Sequence, residues 1–232
     1  MKYWQGRTLP CYDWAMRFAE GEIYHIYNRG VEGRNIFLEP TDYERFVSGL
    51  VLFNDDSPIR LVRKTQYGQN PSDDTLVSLI GYTLMKNHVH LLVYCKNGDK
   101  FSRFLQKLFG GYTMYFNLKY ERKGVLFQGG TKSKHVEDHR YLSHVINYIH
   151  LNPLDYCVPE WRAHGVTDIN KAKRAIFDYP YSSLKEFCGH TNTLVLDKNI
   201  IEEFFPDIPE VVTSMLEWSS ETFAKQGLLF LE

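Results

Sequence analysis

The 232-residue sequence contains no run of about 18 apolar residues, so it offers no membrane-spanning helix and no membrane partner is expected. Its first residues, Met1-Lys2-Tyr3-Trp4, lack the apolar stretch of a secretion signal. The four cysteines (Cys11, Cys95, Cys157 and Cys188) are scattered, with no Cys-x-x-Cys pair. That spacing excludes a zinc knuckle and a disulfide framework, and reduced thiols in a cytoplasmic setting fit best. No Gly-x-x-x-x-Gly-Lys-Ser/Thr phosphate-binding run is present. A surplus of one charge is also missing: 27 Lys and Arg against 28 Asp and Glu give a net charge of −1, which taken alone weighs against a nucleic-acid partner.

The distribution of charge changes that reading. Between Asp99 and Arg140, nine Lys or Arg stand against four Asp or Glu, whereas from Val195 to Glu232 the counts are two and eight. A basic middle is the electrostatic footprint of phosphate binding, although a solvated helix face gives the same pattern. The role of the acidic tail is open. Aromatics make up 15% of the chain; most are expected in the core, with some available to stack on unpaired bases.

Periodicity predicts a strand over Glu22–Asn28, a helix from Thr41 as N-cap to Phe53, and a mostly irregular stretch over Asp55–Asp74. Two β-rich runs, Leu76–Leu84 and His88–Cys95, flank the polar Lys86-Asn87 and read as an antiparallel hairpin. A long helix follows over Phe101–Tyr120, with a bend expected at Gly110-Gly111. Then come an extended stretch over Val125–Val136, broken at Gly129-Gly130, and a helix over Asp138–Leu151 stopped by Pro153. This order predicts an α+β fold: a ferredoxin-like or RRM-like antiparallel sheet with helices on one face, plus a C-terminal helical extension. Residues 1–21, with a short helix around Trp14–Ala19, read as an N-terminal extension, 22–160 as the main domain, and 161–232 as an acidic, mainly helical subdomain.

Two clusters carry chemistry. In Asn87-His88-Val89-His90, alternation along a strand puts both imidazoles on one face and Val89 on the other. Such a pair makes half a site for a divalent metal; the plainer reading is two histidines satisfied by backbone or solvent. In Asn147-Tyr148-Ile149-His150-Leu151-Asn152-Pro153, helical spacing puts Tyr148 and Asn152 on one face, with His150 pointing elsewhere. Pro153 disfavours continued helix at Asn152, which leaves its carboxamide at the helix end, free to reach a ligand. A half-buried tyrosine with a capping asparagine is the plainer alternative.

Together the clusters resemble the single-tyrosine HUH transposases of the IS200/IS605 type, and more closely the REP-associated tyrosine transposases. The stretches that carry the likeness are Tyr24-His25-Ile26-Tyr27-Asn28-Arg29-Gly30, Tyr82 to Leu92 around the two histidines, Phe127-Gln128 through Lys132 and Lys134, Tyr148 to Pro153, and Tyr181-Ser182-Ser183. The likeness spans roughly residues 22 to 190 and implies roles. His88 and His90 would hold a divalent metal, Mg²⁺ or Mn²⁺, and Tyr148 would be the nucleophile. Asn152 would be the third ligand, as in the REP-associated branch. The family cuts single-stranded DNA beside hairpins through a 5′-phosphotyrosine intermediate and rejoins strands. It includes both monomers and homodimers. His25, Arg29, Lys132 and Lys134 are candidate DNA contacts; each reads equally as surface charge, and His25 as a packed strand residue. Two rival classes stand beside this one: a domesticated, non-catalytic hairpin-binding regulator, and a metal-dependent phosphohydrolase that uses water.

Overall fold

The computed structural model describes residues 18–56, 75–158 and 160–219. The expected helix around Trp14–Ala19, most of the Asp55–Asp74 stretch and the end of the acidic tail lie largely outside them. Among the described residues, no helix is long and apolar enough to cross a membrane.

Strand β1 (Ile23–Arg29) leads to helix α1 (Pro40–Leu52). The cap of α1 is Glu39 rather than Thr41: its carboxylate and that of Asp42 form a reciprocal capping box, and Pro40 takes the first turn, where a missing N–H costs nothing. Strands β2 (Ser78–Met85) and β3 (His88–Tyr94) form the expected hairpin about Lys86-Asn87. Helix α2 (Gly98–Lys119) is capped by Asn97 and continues without interruption through Gly110-Gly111. Gly111 makes room for a neighbour, since a Cβ there would lie 2.6 Å from Cζ of Phe53 at the end of α1. Strand β4 is confined to Lys132–Val136, because Gly129 adopts a positive φ of 73° and ends the extended stretch before it. Helix α3 (His139–Leu151) starts at an Asp138 cap.

All neighbours in the four-stranded sheet are antiparallel, in the order β2-β3-β1-β4. With the β-α-β-β-α-β chain order, this is the ferredoxin-like arrangement. Alternation along β1 and β3 sends Tyr24, Ile26, Val89 and Leu91 to the face covered by α1 and α2, where Tyr24 meets Phe101 edge-on at 5.6 Å. His25, Tyr27, Arg29, His88 and His90 point to the other face, which α3 crosses. Gly81 allows that crossing: a Cβ there would lie 2.8 Å from Ile146 of α3.

Pro153 does not end the helical path. The chain tightens into a 3-10 turn over Asn152–Tyr156 and continues into the short α4 (Trp161–His164). Helices α5 (Ile169–Asp178), α6 (Leu184–Phe187), α7 (Lys198–Phe204) and α8 (Ile208–Ser219) follow. This part of the chain also covers the open edge of β2. Leu84 N–H donates to the Tyr181 carbonyl, Ser183 N–H to the Tyr82 carbonyl and Asp197 N–H to the Leu79 carbonyl. The exposed ladder groups of an edge strand are thereby paired within the chain.

Candidate active site

The site lies on the α3-covered face of the sheet, where β1 and β3 run side by side. The register sets Tyr27 opposite His90 and Arg29 opposite His88. The two β3 imidazoles are 5.0 Å apart between ring centroids and nearly perpendicular. Each has one ring nitrogen engaged by a neighbour: His88 Nδ1 pairs with Asn87 Oδ1 at 2.7 Å, and His90 Nδ1 with His25 Nε2 at 2.9 Å. Second bonds of this kind fix the orientation of histidines that bind metals through the other nitrogen. Burial, then the proximity of His88 and His25, holds His90 well below the usual imidazole range; burial and then Lys134 push His25 down to about 3. Both rings are therefore neutral at physiological pH. Neutral imidazoles with fixed rings fit a divalent cation.

His25 is fully buried, so its role as a DNA contact gives way to the packed-strand alternative, with the added bond to His90. Arg29 and Lys132 line a cavity of about 370 Å³ together with His88, His90, Gln128 and Asp155. Lys132 Nζ also stands 5.7 Å from the Tyr27 ring centroid. Lys134 lies instead over the Tyr141 ring of α3, at 5.0 Å.

Tyr148 reaches the same place from α3. Its ring meets His90 edge-to-face at 5.2 Å and His25 at 6.1 Å. It is 1% exposed and part of the core, and the Arg162 guanidinium lies 5.0 Å from its ring centroid. His150 points away into the core, as the helical spacing predicts, and its Nε2 pairs with Ser183 Oγ.

Asn152 departs from expectation. Its backbone is helical, it is fully buried, and its carboxamide is engaged at both ends. Nδ2 donates to the Tyr148 carbonyl at 2.7 Å, and Oδ1 accepts from Arg162 Nη2 at 3.0 Å. The carboxamide is not free because Pro153 opens the next turn instead of stopping the helix. Among the described residues, no group of three or more His, Cys, Asp or Glu could hold a metal.

Sequence reasoning missed Asp155 and Arg162. A signal existed for the first: Tyr148, Asn152 and Asp155 keep the i, i+4, i+7 spacing of one helical face across Pro153.

Residues 62–152 match the family model described as "Transposase IS200 like", a span that holds His88, His90, Tyr148 and Asn152. The resemblance read from the motifs is borne out over that span. A solved structure of a REP-associated tyrosine transposase bound to a REP hairpin is 12% identical, covers 79% of this chain and 90% of its own, and superposes with a TM-score of 0.48. No curated protein matches the chain in sequence.

Proposed function

We propose, from the premise that this chain carries an IS200-like transposase segment over residues 62–152, that it is a metal-dependent single-stranded-DNA endonuclease and strand transferase acting beside hairpin DNA. The observation that carries the reading is the meeting of Tyr148 with His90, one strand position pair away from His88. A helix from one part of the chain and a strand from another bring a phenol to two oriented imidazoles.

His88 and His90 would hold the divalent metal. Asn152 would join them through Oδ1 once Arg162 releases that atom. When bound, the ion polarises the scissile phosphate and offsets charge that builds on it. The chain's own residues supply the rest. Tyr148 Oη forms a bond to phosphorus, and its proton leaves to solvent. The bond from phosphorus to the 3′ oxygen breaks, and that oxygen takes up a proton to become a free 3′-OH. The phosphate stays on the tyrosine as a 5′-phosphotyrosine, so a second 3′-OH can run the step backwards and join strands. Arg29 and Lys132, in the cavity beside the histidines, would hold flanking phosphates. His25 keeps His90 in its orientation throughout.

The test is incubation with end-labelled hairpin DNA carrying single-stranded flanks, with Mn²⁺, followed by a denaturing gel. A covalent protein–DNA adduct that disappears in Tyr148→Phe is expected. Cleavage that survives Tyr148→Phe would replace this reading with a water-using phosphohydrolase. Binding without cleavage would identify a hairpin-binding regulator.

A further inference from the structure

Arg162, which the sequence did not single out, touches several residues of the site. It sits on α4, directly after the turn that follows the tyrosine helix. Its guanidinium stacks between the Tyr148 and Trp161 rings, 5.0 and 4.9 Å from their centroids. Nε donates to Asp155 Oδ1 at 3.1 Å and Nη2 to Asp155 Oδ2 at 2.9 Å, a two-pronged grip on a carboxylate. Nη2 also reaches Asn152 Oδ1 at 3.0 Å. Asp155 lines the cavity that holds His88 and His90, and about a third of its side chain is exposed to solvent.

We propose that Arg162 is a phosphate-binding residue of this site, held in reserve by Asp155 and transferred to a backbone phosphate of single-stranded DNA when substrate enters the cavity. The inference rests on the DNA-cleaving reading above. Its physical basis is the equivalence of the two anions. A phosphodiester presents two non-bridging oxygens to a guanidinium fork much as a carboxylate does. Exchanging one for the other keeps the cation paired, and the released Asp155 is already partly hydrated, which keeps the cost of exchange low.

The exchange would have two further consequences. Moving the guanidinium would take one neighbour off the Tyr148 ring, which is 1% exposed. It also releases Asn152 Oδ1, the atom assigned to the metal. One side chain therefore lies over the nucleophile, occupies a metal-ligand atom and carries the fork that fits the substrate.

The experiment measures hairpin-DNA affinity as a function of salt, without metal, for the full chain and for Arg162→Gln and Asp155→Asn, with adduct formation in Mn²⁺ run in parallel. Gln can still donate to Asn152 but carries no charge. Loss of one phosphate contact lowers the slope of log K against log salt by about 0.7 for single-stranded DNA. That drop is expected for Arg162→Gln, together with slower adduct formation. Asp155→Asn keeps the Oδ1 acceptor for Trp161 Nε1 and Arg162 Nε but removes the Oδ2 partner of Nη2 and the competing charge. It should bind several-fold more tightly and form adduct faster, the opposite of what loss of a structural brace would do. An unchanged slope in Arg162→Gln, or weaker binding in Asp155→Asn, overturns the proposal. If Arg162→Gln does not fold, the direction of the Asp155→Asn effect decides. Wild-type adduct with an unchanged Arg162→Gln slope defeats this inference alone. A lowered slope with no wild-type adduct defeats only the nuclease reading. A wild-type chain that does not bind hairpin DNA defeats both.

Discussion

Lowering pH should destabilise the protein through His150, by an amount that the structure sets. His150 is fully buried against Phe187, and burial pushes its imidazole down to about 3. Ser183 donates its hydroxyl to the Tyr82 carbonyl, so His150 Nε2–H donates to Ser183 Oγ at 3.0 Å, while Nδ1 has no hydrogen-bond partner among the described residues. A second proton would place an unpaired buried charge there. In the unfolded chain the same ring titrates near 6.5. Below that pH the unfolded state binds a proton that the folded state refuses, so stability is fully present above about pH 6.5 and declines as pH falls toward 3. At about pH 5 the loss from this one group is about 2 kcal/mol, a large share of a typical domain's total. The perturbation is His150→Leu, which removes the titrating ring and leaves Ser183 its two backbone bonds to Tyr82. Urea unfolding of both proteins in EDTA, at several pH values from about 7.5 to 5, gives the difference between them, in which every other titration cancels. The variant should gain about 2 kcal/mol on the wild type across that range. A difference that stays flat with pH would refute the assignment of a neutral, proton-refusing His150.

Two further outcomes test other parts of the argument. Replacing His25 with Leu removes the partner of His90 Nδ1, and Mn²⁺ affinity, followed by water-proton relaxation, should fall by about 10- to 100-fold; equal affinity would show that the His25–His90 bond orients nothing. In Gly30→Ala the new Cβ would lie 2.2 Å from the Arg34 carbonyl oxygen, a backbone atom that cannot swing aside, while Gly30 N–H holds the Asn87 carbonyl at the hairpin turn. A loss of about 2 kcal/mol or more is expected in urea unfolding, and a loss below about 0.5 kcal/mol would mean that the loop yields freely.

Local pattern carried much of the architecture. The aromatic and β-branched run at the first strand, the polar Lys86-Asn87 between two apolar runs, and the 3.6-residue stripe from Phe104 to Phe116 each gave an element within a few residues of its place. From these and the chain order the ferredoxin-like sheet follows, and alternation alone puts His88 and His90 on one face. What escaped is what depends on pairing between distant segments. The bond between His25 and His90 spans 65 residues and needs the β1–β3 register, which no single strand reveals. The cover over the β2 edge comes from about 100 residues downstream, at Tyr181 and Ser183. Gly110-Gly111 suggested flexibility because glycine is permissive, yet Gly111 answers a packing demand from Phe53 that is visible only in three dimensions.

Pro153 misled for a different reason. Proline forbids a hydrogen-bonded helix interior but suits the first position of a new turn. Read as a terminator, it leaves Asn152 loose at a helix end; as the opening of a 3-10 turn, it carries the tyrosine's face onward to Asp155 and brings Arg162 back over Tyr148. The proline that looked like the end of the site is therefore the bend that closes it.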